Sequence, residues 1–196
     1  MASSPPLVLI LGHSFVRRLK EDLQSNFDVR ADKNFDLAGD AIIHMHGVGG
    51  RTVKKLRDHD LGVISSWKPH AVILEIGTND LADLGPEVVG SEIEELTKVL
   101  LGSFSVKVIG VCQVIPRFRA PFFNASARIL NQYLTEVLDD NINVFCWEHS
   151  GFTDPSVSPY LADGVHLNSL GQYKLYRSYR GAILKAIRNW KPRGDP

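Results

Sequence analysis

A chain of 196 residues with 22 Lys and Arg against 22 Asp and Glu has no formal net charge, which excludes a basic footprint for nucleic acid or an anionic membrane. That length suits one domain over 1–196, with short polar tails at 1–5 and 191–196, and such a domain buries roughly 70% of its unfolded surface without staples. No apolar run approaches the roughly 18 residues of a membrane span, and no signal peptide is evident. The two cysteines, Cys112 and Cys146, fall in apolar strand-like runs and read as core thiols. An intracellular, cytoplasmic setting is therefore expected.

The first element is Leu7 to Leu11, too uniformly apolar for a half-exposed strand, so it predicts a strand buried on both faces of a parallel sheet. It stops at Gly12. Phe15, Val16, Leu19 and Leu23 then recur at helical spacing, which places Ser14 at the junction of strand and helix. There a serine is either a helix cap or a nucleophile set in the field of the helix dipole. Phe27 to Ala31 is expected as a short strand, and Ala41 to His46 as a second strand or extended segment. His44 and His46 share a face of it but lack further ligands at metal spacing, so packed or surface histidines compete with a metal site. Gly47-Val-Gly-Gly-Arg-Thr52 predicts a tight turn with Thr52 capping a helix over 53–67 that breaks near Gly62 and ends at Pro69.

Ala71 to Ile76 predicts another buried strand, interrupted only by Glu75 and ending in Gly77-Thr-Asn-Asp80. Pro86 opens a helix with Val89, Ile93, Leu96 and Leu100 inward. Val106 to Val114 is a strand, and Arg117 to Phe123 a loop. Ala125 to Leu138 is a helix and Ile142 to Trp147 the last strand. Glu148 to Ala162 shows no periodicity, and an aperiodic stretch of that length inside a domain is often functional. It delivers Asp163-Gly-Val-His166, after which a helix is expected from Ser169 to about Asn189 with Tyr173, Tyr176, Ile183 and Ile187 inward. An Arg193-Gly-Asp195 tripeptide in the tail is read as chance.

Strands and helices alternate, which argues an α/β fold: a three-layer α/β/α sandwich around a parallel sheet of about five strands. All strand-to-helix junctions then open on one edge. Ser14, the Gly49-Gly50 turn, Asn79, Asp163 and His166 converge there. One hydroxyl, one imidazole with a carboxylate three residues before it, and oxyanion donors from Ser14, Gly50 and Asn79 are what acyl transfer needs. In that scheme His166 is the base and Asp163 fixes its tautomer. No cofactor or metal is called for.

These motifs resemble those of the SGNH, or GDSL-type, hydrolases. Gly12-His-Ser14-Phe is similar to the first block of that family, Gly49-Gly50-Arg-Thr to the second, Gly77-Thr-Asn-Asp80 to the third and Asp163-Gly-Val-His166 to the fifth, in family order. The resemblance implies a flavodoxin-like sheet and a serine esterase needing no cofactor. In size the chain is similar to small acetylhydrolases of platelet-activating-factor type and to bacterial lysophospholipases and thioesterases. Gly-His-Ser-Phe-Val-Arg-Arg also resembles GDSL-type domains of some animal retroelement proteins. The family usually carries Asp where this chain has His13. The hydrogen bonds of the nucleophile turn must therefore be rearranged, and a cationic His13 facing the substrate would favour an anionic one. The expected substrate is a small-molecule, lipid or carbohydrate ester with a short acyl group, lined by His13, Arg117 and Phe118. The alternative is a non-catalytic module binding RNA or protein on the same fold, for which Arg117, Arg119, Phe118, Phe122 and Phe123 would form a basic and aromatic patch.

Overall fold

The apolar runs become the inner strands of a five-stranded parallel sheet in order β2-β1-β3-β4-β5, with β1 Leu7–Gly12, β2 Ile42–Gly47, β3 Ala71–Glu75, β4 Val108–Cys112 and β5 Val144–Trp147. The computed structural model describes residues 4–138, 142–152 and 158–190. Strands β1, β3 and β4 read as near-continuous hydrophobic sequence because both their faces are covered. Side chains alternate between two cores. Val8, Ile10 and Ile73 face α1 (Ser14–Gln24) and α6 (Ser169–Trp190). Leu9, Leu11, Val72 and Leu74 face α2 (Val53–His59), α3 (Leu61–Trp67), α4 (Pro86–Ser103) and α5 (Pro121–Leu138). The result is the expected three-layer sandwich with the strand order of flavodoxin-like folds, whose switch point places ligands beyond the carboxyl ends of the strands.

Several elements differ from the sequence expectation for local reasons. Residues 27–31 form turns rather than a strand: the Asp28 carboxylate bonds both the backbone N–H and the guanidinium of Arg30, an Asx-type turn that competes with extended pairing. The 53–67 helix breaks at Asp60, not Gly62, because the Asp60 carboxylate is taken by Arg51 at 2.6 Å and His46 at 3.2 Å. Helix α5 starts at Pro121, inside the stretch expected as a loop, since proline is well suited to a first helical turn. Tyr173 is only half-buried. The tripeptide at 193–195, most of both tails and residues 153–157 of the long loop lie outside the described residues. No helix among the described residues is long and apolar enough to cross a membrane.

One strand-end row sets the site. Gly12 pairs in register with Gly47 of β2 on one side and Glu75 of β3 on the other. A methyl group on Gly12 would overlap the Glu75 carbonyl, and one on Gly47 would overlap the backbone of Arg17, so only glycine lets α1 sit this close to the sheet end.

Candidate active site

Ser14 is the first residue of α1 but not its cap. His13 is the N-cap: its Nδ1 accepts the Phe15 N–H at 3.3 Å. This corrects the expectation that His13 lines the substrate site, since the side chain turns into the core at 1% exposure. Among the described residues no group hydrogen-bonds the Ser14 hydroxyl, which sits half-buried at the sheet edge.

The neighbouring junctions are tied to one another. The Val48 N–H donates to Gly12 O at 3.0 Å, and the Asn79 side-chain amide donates to Arg51 O at 2.8 Å. Asp80 accepts the Val53 N–H at 2.9 Å, capping α2, while its burial pushes its carboxyl up. Asn79 and Asp80 thus clamp the turn that carries Gly50, whose φ is +69°. Thr52 is a cap as expected, accepting from Lys55 N–H at 3.2 Å. Gly50, Asn79 and Ser14 all lie on this edge.

The candidate acid-base pair comes from the loop after β5. His166 Nδ1 and Asp163 Oδ2 are 2.7 Å apart, and Asp163 Oδ1 accepts the backbone N–H groups of Val165 and His166 at 2.9 and 2.8 Å. The hydrogen bond from His166, then those from the two backbone N–H groups, hold the Asp163 carboxyl down at about 2. The loop is pinned by Leu161 N–H on His166 O at 2.7 Å and by Phe118 N–H on Gly164 O at 2.8 Å. Ser14 and His166 are not hydrogen-bonded to each other here. Such bonds often tighten only with substrate bound.

Arg117 and Phe118 each touch a residue of these junctions, Thr78 and Gly164. The Arg117 guanidinium donates to Thr78 O at 3.1 Å and stacks 3.8 Å over the Phe123 ring. Arg117 and Phe118 both line a cavity of about 750 Å³ with Tyr160, Asn124 and Asn131, and Ser14, Gly50, Asn79, Asp163 and His166 are not among its lining residues. Phe122 instead points to solvent at 90% exposure.

Sequence reasoning missed what lies beneath Ser14. Glu75 is buried, and its Oε2 accepts from His149 Nε2 at 2.8 Å and Tyr179 Oη at 2.9 Å, while Oε1 lies 3.5 Å from His13 Nε2. Burial opposes its charge, but the His149 imidazole and the contact from His13 outweigh it and hold the carboxyl well below the usual carboxylate range. Burial first, then the charge of Glu75, push the Cys112 thiol and Tyr179 hydroxyl well up, so both stay protonated. Glu75, Cys112 and His149 form the sole metal-compatible cluster among the described residues. Both ring nitrogens of His149 are already engaged, Nδ1 with Ser178 Oγ at 2.7 Å. His46 pairs with Asp60 and His44 packs on Trp67, so neither is a ligand of such a cluster. The signal for this network was one charged residue inside an otherwise apolar strand.

The sequence profile of the GDSL-like Lipase/Acylhydrolase family matches residues 10–174. The chain belongs to this family. No curated protein matches it in sequence. Solved structures of similar fold include an acetyl esterase mutant with acetate ion, at 16% identity and TM-score 0.71 over 94% of this chain and 99% of that one. A carbohydrate esterase family 3 protein from Talaromyces cellulolyticus aligns at 16% identity and TM-score 0.70, over 94% and 99%. An acetyl-xylooligosaccharide esterase from Geobacillus Stearmophilus aligns at 18% and 0.68, over 95% of each chain. As a GDSL-like acylhydrolase the chain is an ester hydrolase.

Proposed function

We propose that this GDSL-family chain hydrolyses short-acyl esters through Ser14, His166 and Asp163. The observation that carries the proposal is the 2.7 Å contact of His166 with Asp163, on a loop pinned to the same edge where the Ser14 hydroxyl is free of the capping role. Ser14 Oγ attacks the acyl carbon while His166 Nε2 takes its proton. The oxyanion is held by the N–H groups of Ser14 and Gly50 and by the free N–H of the Asn79 amide. Collapse expels the alcohol with the proton from His166. Water, activated by the same imidazole, then releases the acid and restores the serine.

A short acyl group is supported by two features. The junctions beside Ser14 are brief, and the structural neighbours above are described as acetyl or carbohydrate esterases. The alcohol side is then that of a polar ester, such as an acetylated sugar. The test is nitrophenyl acetate hydrolysis together with fluorophosphonate labelling. Both should vanish in Ser14→Ala while unfolding free energy stays within about 1 kcal/mol. Labelling that moves to another serine would sink the assignment.

A further inference from the structure

Glu75 holds His13 twice: its carbonyl accepts the His13 N–H at 3.2 Å, and its carboxylate faces His13 Nε2 at 3.5 Å. Since His13 Nδ1 accepts the Phe15 N–H, a proton on the ring belongs on Nε2, which lies 3.5 Å from that carboxylate, a contact longer than a hydrogen bond, and has no other partner among the described residues. The imidazole is therefore a strut between the Glu75 side chain and the first turn of α1, where Ser14 sits. The other oxygen of Glu75 is held by His149 and Tyr179. His149 follows β5, at the start of the segment leading to Asp163 and His166, and its far nitrogen meets Ser178 Oγ, which also accepts Trp147 Nε1–H at 2.9 Å. The ends of β1, β3 and β5 and the middle of α6 thus meet on one carboxylate.

Stability alone gives little reason for such a cluster, because a buried charge network is often no better than apolar side chains of the same volume. Rigid placement of a reacting group does, since small misplacements at an active site are costly in rate. We infer that Glu75 is a positioning residue of the esterase, acting through His13 to orient Ser14 relative to the segment that carries His166. The inference rests on the assignment of Ser14 as nucleophile.

The decisive variant is His13→Asn. Asparagine is a good helix cap and keeps the Phe15 N–H satisfied, but it is too short to reach the carboxylate. Turnover is measured per serine titrated with fluorophosphonate, so that any unfolded fraction drops out. In His13→Asn, kcat per titrated serine should fall about tenfold or more with KM within about twofold. Glu75→Gln should do the same. The double variant should be no slower than the slower single one, since both cut the same strut. If kcat per titrated serine in His13→Asn stays within about twofold of wild type while Ser14→Ala is inactive, the positioning role is wrong and the nucleophile assignment stands. An active Ser14→Ala would overturn both. Rate losses that multiply independently in the double variant would overturn the strut, as would a stoichiometric metal found in the purified protein by elemental analysis.

Discussion

Asp163→Asn isolates the role of the carboxylate because the structure dictates how the new amide must sit. Asp163 Oδ1 accepts two backbone N–H groups, from Val165 and His166, whereas Oδ2 makes the one contact to His166 Nδ1. Asparagine has a single acceptor oxygen, and two N–H donors outweigh one, so its oxygen stays on the backbone and its NH₂ faces the imidazole. The ring proton is then driven to Nε2, the atom that must accept from Ser14. A buried triad loses about 10⁴ in rate from this wrong tautomer. Asp163 is 48% exposed, and water can partly restore the right tautomer, so the expected loss in kcat is about 10³, a barrier increase of about 4 kcal/mol. The loop itself should hold, because its ties to Leu161 and Phe118 are backbone bonds, and unfolding free energy should move by no more than about 1 kcal/mol. Hydrolysis of nitrophenyl acetate and urea denaturation measure the two quantities. A rate loss under about tenfold would refute the tautomer argument. Because the wild-type carboxyl is held at about 2, Asp163 stays ionised through any neutral or mildly acidic assay, and the acid limb of activity is not its own. Its contribution to stability has the sign of a depressed acid: present above the ordinary aspartate value of about 3.9, lost as pH falls through the folded one.

Asn79→Ala should cost about 10² to 10³ in kcat but only about 1 kcal/mol of stability, since one oxyanion donor and one bond to Arg51 O are removed; equal losses in both would make Asn79 merely structural. Across nitrophenyl esters from butyrate to decanoate, kcat/KM should fall at least about tenfold, whereas a tunnel would instead gain roughly 0.8 kcal/mol per buried methylene. Gly12→Ala should destabilise by about 3 kcal/mol or more in urea, because the methyl meets backbone rather than a yielding side chain; a loss below about 1 kcal/mol would show that β1 and β3 can separate there.

The layers and most strand positions followed from the sequence because β1, β3 and β4 are buried on both faces, and such strands leave no polar alternation to confuse the pattern. The glycines and small polar residues at their ends were equally plain, and topology alone brings them to one edge. What the pattern does not encode is the direction of a side chain at a junction. His13 and Ser14 are adjacent, yet one turns inward, where it caps the helix and meets Glu75, and the other faces the edge. His149 lay in an aperiodic stretch, where nothing local distinguishes a buried imidazole from a solvated one. The break at Asp60 arises from Arg51 and His46, partners set by tertiary contact rather than by helix propensity.

Placing Tyr179 and Ser178 on α6 has a consequence for the order of assembly. The strands, α1 and every proposed oxyanion donor precede α6 in the chain, so they emerge from the ribosome before the helix that covers Glu75. Until α6 docks, that carboxylate can remain hydrated, and the apolar face of α1 and β1 has only part of its cover. Docking must bury ten residues of α6 and at the same moment replace water on Glu75 with Tyr179 and with His149 backed by Ser178. A partly seated helix would leave a dry, unpartnered charge, so intermediate positions are penalised. Seating of α6 and the pairing of Glu75 are therefore coupled, and the domain is complete only once that helix has docked.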